Sequence, residues 1–286
     1  MLEPFLVGLA LSLCFVGSFT DLKTREVPDW LNYAGITSGV MIHIIGAVML
    51  WNFWFLLESL LGLGIAFIIG AAMYYTGQWG GGDSKLLMAL GTLVGFYPSF
   101  DNMFVSFLFW TIITGTVYGL AWSFVLMIKN WTRFLAAFKQ VTHTPHALFV
   151  RKGAYIFVAI GIVTVSWVND SVFQLLPCFT FFGIPIYALL IASMKAIEHT
   201  CMIKTVNPSV VTEGDWIAKA VVVDGKYITG PKELGITKKQ LTLLRTYAQK
   251  KKIKQVIIKV GIPFVPSFLL GLVAAVVWNN PLVFFL

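Results

Sequence analysis

The chain has 286 residues, 58% of them hydrophobic and only 12% charged. Soluble domains carry about a quarter charged residues, so the composition excludes a soluble enzyme and makes the first question a count of membrane spans. The net charge of +8 suggests basic cytoplasmic loops well before it suggests nucleic acid. The three scattered cysteines, Cys14, Cys178 and Cys201, lack Cys-x-x-Cys spacing and indicate neither a disulfide framework nor a zinc site.

In chain order, the apolar runs predict eight spans, at about 4–20, 31–51, 53–76, 84–99, 103–128, 153–169, 171–194 and 261–279. The fourth is the shortest, below the ~20 residues that a bilayer core requires, and 169–171 is a tight connection. Only Met1-Leu2-Glu3 precede the first run. Without a basic n-region or a small-residue cleavage site, that run reads as a retained span. Trp51, Trp54, Trp79, Trp110, Trp131 and Trp278 fall near predicted ends, as interfacial aromatic belts do.

With residue 1 outside, the loops at 21–30, 77–85, 129–152 and 195–260 are all inside. They then hold all 21 Lys and Arg residues, from Lys23 and Arg25 to Lys259. The outer connections near Asn52, Pro98–Asn102 and Val168–Ser171 contain only the acids Asp101 and Asp170. This asymmetry predicts an even number of spans with both termini outside.

One stretch is not membrane-like. Between Lys204 and Lys259, Trp216–Val223 and Lys226–Thr229 read as strands around Asp224-Gly225, a pair suited to a type I′ hairpin. Thr237-Lys-Lys-Gln240 fits a capping box opening a helix to about Lys252, and Val256–Ile258 reads as a returning strand. The organisation expected is therefore a membrane core over 1–200, a cytoplasmic α+β insert over 204–259 and a final transmembrane helix within 261–286. The fold class is an all-α polytopic membrane protein carrying that insert.

The chemistry concentrates in Gln78-Trp-Gly80-Gly81-Gly82-Asp83-Ser-Lys85. Three glycines and an acid at the edge of hydrocarbon are poor scaffold. The predicted orientation puts Asp21, just after the first span, on the same face as Asp83. Two adjacent carboxyls share a proton, so one activates water while the other donates to a carbonyl. Glycines lacking Cβ atoms let an extended substrate pair with the backbone. The helix following Asp83, together with Lys85, favours Asp83 as the carboxylate and leaves Asp21 as the proton holder.

Asp21-x-x-x-Arg25-x-x-Pro28-x-x-Leu31 and Gly80-Gly-Gly-Asp83-x-Lys85-Leu-Leu-x-Ala89-Leu-Gly91 resemble the two signature regions of the type IV prepilin and preflagellin peptidases, which are Gly-x-Gly-Asp membrane aspartyl proteases. Gly261-Ile-Pro263-Phe-x-Pro266 resembles the start of that family's last helix. The resemblance implies an endopeptidase, using no metal or cofactor, that cleaves short basic leaders from pilin-like or archaellin precursors at the cytoplasmic face of the plasma membrane. It maps the catalytic pair onto Asp21 and Asp83. Gly80, Gly81, Gly82 and Lys85 are the expected substrate-binding residues; membrane lipid is the other expected partner, and nucleic acid is not one. The absence of paired cysteines argues against the methyltransferase activity of bacterial members, and the polar insert fits archaeal relatives better.

Other groups carry weaker signals. Glu58 is an intramembrane acid near an outer end. His143 and His146 have metal-compatible spacing without an accompanying acid or cysteine. Glu213 and Asp215 could attract a basic leader peptide, although a solvated turn suits them better. The alternatives are a presenilin-like intramembrane protease, disfavoured because no Tyr-Asp pair surrounds Asp21, and a transporter coupling ions through Glu58, Asp21 and Asp83. A transporter would hold its acids near the midplane.

Overall fold

The computed structural model describes residues 2–99, 101–167 and 171–279. The expected outer connection at Val168–Ser171 thus lies mostly outside the described residues, as does the end of the chain from 280. By mutual contact the chain groups into residues 1–121 with 205–286, and residues 122–204. The protein is mostly helical with a small sheet region.

The first group begins with α1 (Leu2–Thr24), α2 (Asp29–Met49), α3 (Phe53–Tyr75) and α4 (Gly81–Val94), followed by α5 (Met103–Lys129). Among the described residues, α1, α2, α3 and α5 are the four helices long and apolar enough to cross a membrane. Their 21–27 residues reach about 30–40 Å at 1.5 Å per residue. The run expected at 84–99 forms α4 instead, starting three residues earlier and stopping at Val94. It is capped by Gly95 at φ +72°, and Phe96 then donates its N–H to the Glu58 carbonyl at 2.8 Å.

α4 is buried on nearly every side. Ser84, Leu86, Leu87, Ala89, Leu90, Gly91, Thr92 and Leu93 are all covered, which is why its sequence lacks a polar face. α3 reaches it through small residues one turn apart, Gly62, Ala66 and Gly70. A Cβ on Gly62 would drive into the Gly91 carbonyl, so glycine there lets the backbones touch. Ser84 Oγ donates to Gly70 O at 2.9 Å and Ser59 Oγ to Thr92 O at 2.8 Å, joining the helices where water is absent. The core is completed by Leu6 and Leu13 of α1, Phe104 and Phe107 of α5, and Phe268 and Leu272 of the last helix, α10 (Val265–Trp278).

The polar insert folds around its own core of Val211, Ile217, Val223, Ile228, Ile236, Leu241, Leu244 and Val256. Its strands are β1 (Ile203–Val206), β2 (Trp216–Ile217), β3 (Val221–Val223), β4 (Lys226–Thr229) and β5 (Val256–Lys259), with α9 (Lys238–Gln249) between β4 and β5. β3 and β4 form the expected hairpin, Val223 opposite Lys226. Asp224 (φ +51°) and Gly225 (φ +77°) have the two positive φ values of a type I′ turn. The capping box is also present: Gln240 N–H donates to Thr237 Oγ1 at 3.4 Å and Thr237 N–H to Gln240 Oε1 at 2.8 Å. The strand expected over Trp216–Val223 is divided, because β2 pairs antiparallel with β5 while β3 turns to β4. The β1 strand and the sheet order β1-β5-β2 carried no sequence signal.

In the second group, α6 (Trp131–Thr142), α7 (Pro145–Trp167) and α8 (Ser171–Thr200) follow one another. α6 occupies what reads in the sequence as a basic loop. It buries Phe134 and Ala137 against Ala196 and Ile197 of α8.

Candidate active site

Asp21 lies in the last turn of α1 and is buried. The helix ends where Arg25 turns left-handed (φ +63°) and its N–H donates to the Asp21 carbonyl at 2.9 Å. This is the 5→1 closure of an αL C-cap. The Asp21 carboxylate then finds a distant partner: its Oδ2 accepts the Val265 N–H at 3.0 Å. Val265 is the first residue of α10, and Pro266 follows in the first turn, where a proline is pre-organised for helix. The carboxylate therefore meets a helix N-terminus, the end that favours negative charge.

Asp83 is held locally. It is the third residue of α4, and its Oδ2 accepts the Gly80 N–H at 3.0 Å, the backward half of a capping box. Burial, followed by the charge of Asp21, pushes its carboxyl from 3.8 up to about 7, against the opposing pull of the Gly80 N–H. The structure thus brings Asp21 and Asp83 into one electrostatic environment.

The three glycines differ from one another. A Cβ on Gly80 would meet only Asp83 Oδ2, at 3.4 Å, and one on Gly81 nothing nearer than Tyr74 Cε2 at 3.8 Å. Gly82 faces inward, where a Cβ would meet Val27 Cβ at 3.2 Å and the Val27 backbone at 3.3 Å. Its carbonyl accepts from Asn32 Nδ2 at 3.3 Å. Gly82 is thus the seam between the two acid-bearing loops, and open backbone is left at Gly80 and Gly81. Lys85 turns toward α2: Nζ lies 2.6 Å from Asp29 Oδ1 and 5.4 Å from the Tyr33 ring centroid.

Sequence reasoning missed the groups that join these parts. Trp79 is buried with its ring 5.2 Å from both Phe264 and Phe268, so the glycine loop packs on the mouth of α10. Arg25 Nη1 donates to the Gly261 carbonyl, and Thr212 Oγ1 of the insert donates to Glu26 Oε1 at 2.8 Å. Only Pro263 and Pro266 hinted at the α10 contribution. Val27, an ordinary apolar residue between two charged stretches, offered no hint.

The remaining candidates stand apart. Glu58 neighbours Gly95, at the C-terminal end of α4, about 18 Å along the helix from Asp83. His143 Nδ1 sits 2.7 Å from the Lys139 carbonyl, at the end of α6, and the His146 side chain lies outside the described residues. Asp215 Oδ2 accepts the Thr212 N–H at 2.8 Å, as a turn residue does, and Glu213 is exposed.

Residues 8–120 match the model of the type IV leader peptidase family. A preflagellin peptidase of Methanococcus maripaludis is 30% identical over 143 residues, covering 46% of this chain and 59% of that protein. A prepilin peptidase, EppA, of Methanothermobacter thermautotrophicus is 29% identical over 99 residues, 35% of this chain and 26% of its own length. A preflagellin peptidase of Methanocaldococcus jannaschii is 32% identical over 93 residues, 32% of this chain and 38% of its own. The chain thus aligns with between about a quarter and three fifths of the length of these relatives. No solved structure matches it significantly. The matched segment contains Asp21, Arg25 and the whole of Gly80–Lys85, and over these residues the chain is similar to the type IV leader peptidase family.

Proposed function

We propose that the chain is a membrane aspartyl endopeptidase that removes leader peptides from archaellin-like or pilin-like precursors, with Asp21 and Asp83 as its catalytic pair. The observation that carries this reading is the pair of amide-held carboxyls, Asp21 on the Val265 N–H and Asp83 on the Gly80 N–H, with burial and the Asp21 charge raising the Asp83 carboxyl. A shared proton between two carboxyls is what water-activating peptide hydrolysis requires.

The proton assignment expected from the sequence is exchanged in this mechanism. Asp21, facing the α10 N-terminus through the Val265 N–H, is the carboxylate, and Asp83 holds the proton. Asp21 takes a proton from water as its oxygen attacks the scissile carbonyl carbon, while Asp83 gives its proton to the carbonyl oxygen. The resulting tetrahedral diol collapses: the C–N bond breaks, the nitrogen leaves with the proton held by Asp21, and a diol hydroxyl returns its proton to Asp83. Atoms balance with two carboxyls and one water. An extended substrate would run past the open backbone of Gly80 and Gly81. Gly82 and Lys85, engaged with Val27 and Asp29, would support it from behind.

Eight spans with both termini outside would put this site on the cytoplasmic face of the plasma membrane. The distribution of all 21 Lys and Arg residues supports that orientation. The distance of Glu58 from Asp83 weighs against an ion path through all three acids.

The test is cleavage in membranes against a panel of preflagellin and prepilin precursors. Asp21→Asn and Asp83→Asn are each expected to lose cleavage by at least about a thousandfold while remaining folded and inserted. Either variant cutting at a rate comparable to wild type would sink the pairing.

A further inference from the structure

We infer that Arg25 is a positioning residue for the proposed cleavage, clamping the entry of α10 so that the first amide of that helix stays on Asp21. This rests on the reading of Asp21 as the catalytic carboxylate.

The first observation is a backbone outlier. Arg25 is left-handed, at φ +63°, in a position where helices normally end on glycine or asparagine. A residue with a Cβ is strained there, and such strain persists where the surroundings hold it for a use. Glycine would serve the backbone better, so what arginine adds is its side chain.

That side chain crosses to another part of the chain. Nη1 donates to the carbonyl of Gly261, 236 residues away and four residues before Val265, whose N–H donates to Asp21 Oδ2 at 3.0 Å. Asp21 and Arg25 are themselves four apart and joined by the Arg25 N–H on the Asp21 carbonyl at 2.9 Å. The end of α1 therefore grips one segment at two points, 261 and 265. Residues 260–264, between β5 and α10, have no regular secondary structure, and the Phe264 N-cap makes no side-chain cap hydrogen bond. Pro266 and the Ser267 bonds to the Phe264 carbonyl start the helix within its own first turn; what remains is to anchor that start to α1. A charge-assisted bond from a planar guanidinium does so.

Catalysis responds steeply to such placement, since a misplacement of about 1 Å costs about a hundredfold in rate. Arg25→Gly removes the clamp and also relieves the backbone strain. It is expected to keep or raise the Tm in detergent while kcat on a preflagellin precursor falls about 10–100-fold, with KM within about twofold of wild type. Arg25→Lys, which retains a cationic donor, is expected to recover part of kcat where Arg25→Gln recovers less. Hydrogen exchange at the Val265 amide gives a readout independent of cleavage and is expected to accelerate in Arg25→Gly.

Wild-type kcat in Arg25→Gly, or an unchanged Val265 exchange rate, would overturn the clamp. So would a joint fall of Tm and activity that lysine rescues no better than glycine. Asp21→Asn in the same assay separates the two claims. If it still cleaves, the catalytic pair fails; if it is dead while Arg25→Gly is fully active, only the clamp fails.

Discussion

The two loops that deliver the acids are built in opposite ways. Asp83 is held from within its own loop, by an amide three residues back at Gly80. Asp21 is held across the whole chain, by an amide 244 residues on at Val265. One half of the site is thus a local motif that folds wherever α4 starts. The other exists only once α10 has returned to pack on α1 and α4 around Gly17, where Val265 and Leu86 meet it. In the proposed mechanism the local half holds the shared proton, and the long-range half places the other carboxyl.

The sharpest test of this contrast is pH. With Asp83 pushed up to about 7, cleavage is expected to fall about tenfold per pH unit above neutrality as the shared proton is lost. Stability should move with it. The folded state holds this proton more tightly than the unfolded chain, so stability is fully present below the usual carboxyl value of 3.8. It is lost as pH rises to about 7, by at most about 1.4 kcal/mol per unit. Melting temperatures from pH 4 to 8 should therefore decline in wild type and stay flatter in Asp83→Asn. Parallel curves would remove Asp83 as the titrating group.

A smaller effect probes the seam between the loops. In Gly82→Ala the new methyl meets the Val27 backbone at 3.3 Å, which should destabilise by about 1–3 kcal/mol and lower activity. Gly81→Ala, with nothing nearer than 3.8 Å, should leave the Tm unchanged and raise KM through crowding of the substrate backbone. Equal effects on Tm would mean that the three glycines are one feature.

The smallest change is expected at Lys85. Its ion pair with Asp29 is partly exposed, and such pairs contribute roughly 0–1 kcal/mol. Lys85→Gln should shift the Tm by a degree or two and leave KM near wild type. A large rise in KM would return Lys85 to direct substrate contact.

Local chemistry made much of the molecule legible. Asp224-Gly225 announced its hairpin and Thr237 with Gln240 its helix start, because both depend on φ preferences and hydrogen bonds spanning a few residues. α6 was not legible, since a basic stretch with Trp131, Phe134 and Phe138 reads as loop until α8 covers one of its faces. The separate duties of Gly80, Gly81 and Gly82 were equally hidden, because three identical residues differ only in what approaches them. Lys85, placed beside Asp83 in the chain, turns to Asp29 because that carboxylate lies within salt-bridge distance across the helices.

By itself the sequence determined the membrane class, the place of two candidate acids and the turns and caps, all of which follow from composition, charge and short-range backbone preference. Only the tertiary structure decided that Gly82 lies against Val27 and that Val265 meets Asp21. Those contacts join residues 55 and 244 positions apart, and burial of the surrounding helices, not any local propensity, selects such pairs.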